Sequence, residues 1–392
     1  MKIQQANWLS GQKWQTDPVN NQDDGRFEPQ LILVFGDTDL LQTVEPIQAL
    51  KELYPQAHLL GCSTAGEIYD VQVRDHSLVA TAIEFTKTAI TNHQIHLKPD
   101  ENSFQTGARL AQQFAPEGLA HLFVLSDGLH INGSELISGL RSALPAAVTI
   151  TGGLSGDGAR FAQTLVLSDD HIASGLVAAV GFYGQNLKIG YGSVGGWTAF
   201  GPKRTVTKSA GNVLYELDGQ SALALYKKYL GEYASGLPAS GLLFPLNLYN
   251  DAGDDAVVRT ILAVDEAAQN LTFAGDLPEG SVVQLMQANF NRLIDGAMAA
   301  AQNSLVTNSV SNSDAVPMAN HPPQLAILIS CVGRKLVLKQ RIEEEVEGVR
   351  EILGPTAILT GFYSYGEIAP SAQGKCCELH NQTMTITTFI ES

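Results

Sequence analysis

Carboxylates follow glycine at three places in this sequence where the flanking residues repeat. Gly66-Glu67 (GCSTAGE), Gly156-Asp157 (TGGLSGD) and Gly366-Glu367 (GFYSYGE) stand at one interval behind a small residue, Gly61, Thr151 or Gly361. Each small residue stands at one interval behind a proline, Pro55, Pro145 or Pro355. An acid on such a turn can accept an ammonium group, and glycine lets backbone N–H groups close on a carboxylate. Ser63, Gly153 and Tyr365 lie in the same loops, and Asp127, His130 and Asn132 follow a buried run in SDGLHINGSEL. With Glu67, Asp157 and Glu367 these are the candidate ligand-binding positions.

Other chemistries fit less well. The loop TGGLSGDGA has neither the G-x-x-x-x-G-K-[ST] nor the G-x-G-x-x-G pattern, and Asp157 would repel a phosphate. The nearest approach to a nucleophile elbow, GCSTA, has alanine where the tight turn needs glycine, which leaves a hydrolase using Ser63 or Cys62 as the rival class. Cys62 has no basic neighbour in sequence to activate it, and a small buried residue is its simpler reading. No histidine pair has zinc spacing, but a single histidine or tyrosine suffices for haem iron, and His130 and Tyr191 (in GYGSVGG) have loop settings that suit a ligand.

The elements that must hold these residues also repeat. An apolar strand (LILVFG, HLFVLSDG, and the run from Leu325) precedes an amphipathic helix that stops at the proline. A strand then re-enters before the glycine loop, and an alternating strand ending in Phe85, Phe182 or Phe389 closes each unit. Equal spacing from Leu31 to Gly61 and from His121 to Thr151 argues for duplication and for equivalent acidic loops at equivalent strand ends. The fold class is therefore α/β: two intimately joined domains with mixed β-sheets, built from repeated strand-helix-strand-glycine loop-strand units, with parallel pairing across each helical crossover. Residues 1–28 read as a polar arm, 29–208 as the first domain and 209–392 as the second, with the boundary near Val206–Asn212. In the second domain Leu223, Tyr226 and Leu230 share a helical face, a hairpin turns at Gln269-Asn270, and a helix lies around Ala288–Ala301. Segment 305–323 has the composition of an exposed, mobile insertion. In the last unit Leu338, Ile342, Val346, Val349 and Leu353 form one stripe, with Arg341 and Glu345 paired and Gly354-Pro355 ending the helix.

With 24 Lys+Arg against 40 Asp+Glu, the net charge of −16 is spread along the chain, which disfavours nucleic acid and anionic membrane surfaces as partners. No apolar signal-peptide core or membrane span is visible, so a soluble cytoplasmic protein is expected, with reduced thiols at Cys62, Cys331, Cys376 and Cys377.

The run GPKRTVTKSAGNVLYELDGQSALALYKKYL, together with GCSTAGEI, LSDGLHINGSEL, GGLSGDGARF and GFYSYGEI, resembles the FIST family, over roughly residues 29 to 390. The resemblance implies an N-terminal and a C-terminal FIST domain and a role in sensory signal transduction through small ligands such as amino acids. With no output domain attached, it implies a signal passed to a separate partner. This arrangement is similar to the nitric-oxide-sensing haem proteins of the family, which regulate histidine kinases and cyclic-di-GMP signalling. Those relatives carry histidine where this chain has Tyr191, so His130 and Tyr191 both stand as the axial ligand if haem is bound. A metabolite-binding version would use the acids instead, and a scaffold without ligand is the third possibility.

Overall fold

The computed structural model describes residues 1–9, 13–20, 26–249, 257–307, 316–317, 322–371 and 377–392. Its first unit runs β1 (Lys2–Leu9), β2 (Leu31–Gly36), α1 (Val44–Leu53), β3 (His58–Ser63), a hairpin of β4 (Glu67–Tyr69) and β5 (Gln72–Arg74), and β6 (Ser77–Glu84). The second repeats this order with β7 (Ala89–His96), α2 (Ser103–Ala111), β8 (Leu119–Ser126), α3 (Gly133–Ala143), β9 (Thr149–Leu154), a hairpin of β10 (Val166–Ser168) and β11 (His171–Ala173), and β12 (Leu176–Tyr183).

β13 (Leu187–Val194) then opens the third unit, but an antiparallel β-rich lobe intervenes, with strands between Trp197 and Ala288 and helix α4 (Ala222–Leu230). α5 (Phe290–Ser304) leads back, and the unit resumes with β14 (Leu325–Cys331), α6 (Val332–Leu338), α7 (Ile342–Leu353), β15 (Ile358–Ser364), a hairpin of β16 (Gly366–Pro370) and β17 (Cys377–His380), and β18 (Met384–Glu391). The expected crossovers are parallel: β2 with β3, β8 with β9, β14 with β15.

Each unit gives its hairpin away. β4 pairs with β15 of the third unit (Glu67↔Phe362), β10 with β3 of the first (Val166↔Cys62), and β16 with β9 of the second (Glu367↔Gly153). The exchange is cyclic, so three similar sheets surround one pseudo-threefold axis. Their inner faces share one core containing Leu33, Phe35, Phe123, Leu125, Ile327 and Phe362. Fully burying such a side chain stabilises by about 1.5–3 kcal/mol. Phe85, Phe182 and Phe389 meet there, with ring centroids 5.8 and 5.6 Å apart.

Four expectations need correction. The opening residues are not simply an arm: β1 pairs along its length with β6, because Ile3 and Trp8 are buried and the amide of Gln5 bonds the carbonyl of Leu359. The stripe from Leu338 to Leu353 is two helices, separated by a tight turn with Lys339 at φ +50°. Arg341 pairs with Glu344 rather than Glu345, whose carboxylate faces inward and binds Arg334 instead. Strand register also shifts the small-residue equivalence in the second unit from Thr151 to Gly152, as Gly152 sits opposite Val124 where Gly61 sits opposite Val34 and Gly361 opposite Leu328.

The Gln269 turn and the buried face of Leu223, Tyr226 and Leu230 are present as read, and the helix expected around Ala288 spans Phe290–Ser304. Segment 305–323 lies largely outside the described residues; within it Val306–Thr307 pairs with Val316–Pro317. Cys376 also lies outside them, while Cys62 and Cys331 are free and buried.

Gly152 and Gly361 show why a small residue recurs. Their φ angles are +151° and +157°, and a Cβ on either would stand 1.8 Å from the carbonyl oxygen of Val124 or Leu328. Gly152→Ala and Gly361→Ala are each expected to destabilise the chain by roughly 1–3 kcal/mol or more, since backbone and not a movable side chain is in the way. Urea denaturation checks this, with Gly158→Ala, where a Cβ meets nothing within 4 Å, separating the cost of positive φ from that of the clash.

Candidate functional site

At the axis the three glycine loops meet through a ring of backbone hydrogen bonds. Ala65 N–H donates to Tyr363 O at 2.8 Å, Gly156 N–H to Ser63 O at 2.9 Å, and Tyr365 N–H to Leu154 O at 3.2 Å. Each bond joins one unit to another in the same cyclic sense as the hairpins. The repeat thus brings Ser63, Gly153 and Tyr365 close to one another, as strand ends around one point.

Beneath the ring, Glu67 and Glu367 occupy matching positions. Glu67 accepts from the hydroxyls of Thr64 and Ser77, both at 2.6 Å; Glu367 accepts from Ser364 Oγ at 2.7 Å and from Thr383 Oγ1 and N at 2.9 and 3.1 Å. Burial pushes the Glu67 carboxyl up to about 8 and that of Glu367 up to about 7, with the hydroxyl donors acting in the opposite direction. Asp157 is not their third member, as the repeat suggested. The second unit has a longer loop, and Val166 takes the register position of the two glutamates.

Asp157 instead ties down that longer loop. Its carboxylate accepts from the N–H groups of Phe161, Ala162 and Gln163 at 2.8–2.9 Å and from the Tyr365 hydroxyl, while Phe161 stacks on Tyr365 at 4.6 Å. Asp127 is equally occupied, by Leu129 and His130 N–H at 2.8 Å and Gly175 N–H at 2.7 Å. Both acids are buried, as are Ser63, Glu67, Tyr365 and Glu367. Ser63 Oγ accepts from Leu165 N–H at 2.8 Å, and burial drives the Cys62 thiol well above its ordinary range, so neither resembles an activated nucleophile. Gly153 is packed against Ile329, whose Cγ2 would lie 2.9 Å from a Cβ.

His130 is different: its side chain is 55% exposed, and Asp127 holds it through Nδ1 at 3.1 Å, so that Nε2 has no hydrogen-bond partner among the described residues. Asn132 caps α3 and reaches the β-rich lobe, donating to Asp276 Oδ1 at 2.8 Å. There Arg259, 7% exposed, donates to Asp276 O at 3.0 Å and Leu379 O at 3.1 Å. Burial lowers its guanidinium to about 10. Ser134 Oγ, on the first turn of α3, is buried without a partner. Arg259 and Asp276 had no sequence signal; neither lies in the repeat.

Tyr191 is buried on β13, in a different sheet from the one that leads to His130. Its glycine neighbours serve packing: a Cβ at Gly190 or Gly192 would strike the carbonyl of Ser304 or Ala300 on α5. A third polar centre was also missed. Arg334 and Glu345, both fully buried, pair at 2.7 Å, and Glu345 further accepts from Tyr363 OH at 2.7 Å and Ser330 Oγ at 3.1 Å. Among the described residues no His, Cys, Asp and Glu cluster is set to hold a metal ion, and no helix is long and apolar enough to cross a membrane.

Three exchanged α/β units carrying an inserted β-rich lobe define a two-domain α/β protein whose repeated acids are spent internally. Matches to the FIST N domain over residues 30–220 and the FIST C domain over residues 222–370 show that the chain belongs to the FIST family. FIST domains are associated with small-ligand sensing in signal transduction. No curated protein matches the chain.

The buried glutamates set a pH signature. Held neutral by burial, they keep protons that the unfolded chain releases near the ordinary value of 4.5, so their contribution is complete below that value and lost as pH rises through about 7 and about 8. The loss is at most about 1.4 kcal/mol per pH unit per group. Glu67→Gln combined with Glu367→Gln should flatten the decline of stability between pH 5 and pH 8, measured by denaturant unfolding at stepped pH; an unchanged slope would show that both groups are ionised at neutral pH. For Asp157→Ala and Tyr365→Phe, losses of about 2 and about 1 kcal/mol are expected. The double variant should lose less than their sum, because the two side chains share one hydrogen bond.

Proposed function

We propose that this chain is a non-enzymatic sensor of a small ligand, bound where α3 meets the β-rich lobe, and that it signals to a separate partner such as a histidine kinase or a cyclic-di-GMP signalling protein. The observation that carries this reading is the contrast in hydrogen bonding. The acids of the glycine loops are buried and occupied, whereas the lobe junction has an exposed His130 and an unpartnered Ser134 Oγ, with the charge of the buried Arg259 paired by backbone carbonyls rather than by a carboxylate. Junctions between domains favour ligand sites, and a ligand that binds one lobe arrangement better than another shifts the population between them.

The junction offers opposite charges for a zwitterion such as an amino acid. Arg259 and the N-terminal end of α3 suit its carboxylate and Asp276 its ammonium. Glu67, Asp157, Glu367, Ser63, Gly153 and Tyr365 then act as framework, and Asp127 positions His130. Haem is the second reading, favoured by one feature: a carboxylate holding Nδ1 leaves Nε2 free to ligate iron. His130 would hold the iron, and Tyr191 would not share the site.

Calorimetry of the purified chain against the common amino acids, alongside an absorption spectrum after haem reconstitution, tests both versions. A binding isotherm weakened at least tenfold in Asp276→Asn, with the melting temperature nearly unchanged, is expected for the zwitterion. A Soret band lost in His130→Ala would instead establish haem. Absence of both signals would remove the junction as a ligand site.

A further inference from the structure

We propose that β7 pairs with β7 of a second copy of this chain, antiparallel about a twofold axis, so that two six-stranded sheets join into one. β7 is hydrogen-bonded to β12 from Ala89↔Tyr183 to His96↔Leu176, and among the described residues no strand lies on its other side. The equivalent outer strand of the first unit, β1, is covered there by Gln15–Thr16. An open edge presents a row of unpaired N–H and C=O groups, and native edges are normally blunted with charge, proline or a bulge. β7 reads AITNHQIH, with no Asp, Glu, Lys, Arg or Pro. In a chain of net charge −16, a strand with no charged side chain of its own is where a second copy can approach at low electrostatic cost, and the charges that touch it include both signs: Arg109 donates to the His96 carbonyl at 2.8 Å and Asp169 accepts from Asn92 Nδ2 at 3.1 Å.

The strand is also self-complementary in one register. A twofold axis perpendicular to a sheet keeps each face on its own side, so residues of equal parity must oppose each other. Centred on His93, this sets Thr91 against Ile95 and Asn92 against Gln94 of the second copy. The first is a pair of β-branched residues, favourable in sheets. The second places amide against amide across the pair. β7 is held rigid for this role, with His93 edge-on to Phe114 at 4.8 Å and Asn92 Nδ2 bonded to Ser168 Oγ at 3.0 Å. Little ordering is therefore left for the pairing step.

Light scattering on the full chain, eluting from a sizing column over a range of loading concentrations, should give twice the chain mass of 41.9 kDa. Thr91→Lys, which puts a cation on the edge, should halve that mass while leaving the melting temperature of the monomer intact. His93→Cys supplies an independent readout. Opposed Cβ atoms lie about 4.5–5.5 Å apart across strands, within reach of a disulfide after a small adjustment, so mild oxidation should trap a reducible dimer. A monomer at every concentration overturns the proposal and leaves the edge to another occupant. A dimer that survives Thr91→Lys and gives no cross-link in His93→Cys overturns it equally, by placing the interface elsewhere.

Discussion

Three backbone hydrogen bonds at the pseudo-threefold axis govern the architecture. For Ala65, Gly156 and Tyr365 to donate to Tyr363, Ser63 and Leu154, each chain segment must leave its own sheet immediately after its parallel strand and cross to a neighbour. The hairpin that follows is then hydrogen-bonded to the wrong unit from the viewpoint of sequence, and to the right one from that of the trimer-like whole. No unit completes its sheet alone, so the three must fold as one body. The crossings also bring backbone so close to the central strands that only glycine fits at Gly152 and Gly361.

The same crossings explain the acids. A loop that turns inward at a buried axis carries polar backbone away from water, and each polar group there needs an internal partner. Glu67 and Glu367 answer this by gathering hydroxyls and, at Glu367, the Thr383 N–H, and Asp157 by gathering the N–H groups of its longer loop. Carboxyl groups so buried have their contacts made within the chain. A glycine-acid repeat that looks like three copies of a binding loop forms, in this chain, two matching joints at Glu67 and Glu367 and a different one at Asp157.

The repeat itself was legible because strand, helix, proline and small residue recur at fixed intervals, and the crossovers between β2 and β3, β8 and β9, and β14 and β15 follow from it. Spacing misled where the second unit lengthens its loop: the acid kept its distance from Pro145, but in three dimensions Val166 holds the place of Glu67. β1 was hidden by its glutamines, since polarity alone cannot show that Gln5 finds a buried carbonyl on β15. Glu345 was paired with Arg341 because the i,i+4 spacing favours that partner, Arg334 carried no sequence signal, and only tertiary packing turns Glu345 inward onto Arg334. Hairpin exchange leaves no sequence trace, because a hairpin reads the same whichever sheet receives it.

The exchange gives the β-rich lobe a short mechanical route to the axis. Arg259 holds the carbonyl of Leu379 on β17, and β17 pairs with β16 so that His380 stands opposite Glu367. Glu367 is in turn fixed to Thr383, at the entry to β18, and to Ser364, next to Tyr365 of the ring. A displacement of the lobe that moved Arg259 would therefore load the hairpin that the third unit lends to the second, and through it the buried Glu367. Coupling of this kind needs an element with two discrete arrangements. The lent hairpin is the natural one, because it is bonded to one unit, covalently continuous with another, and gripped by the lobe.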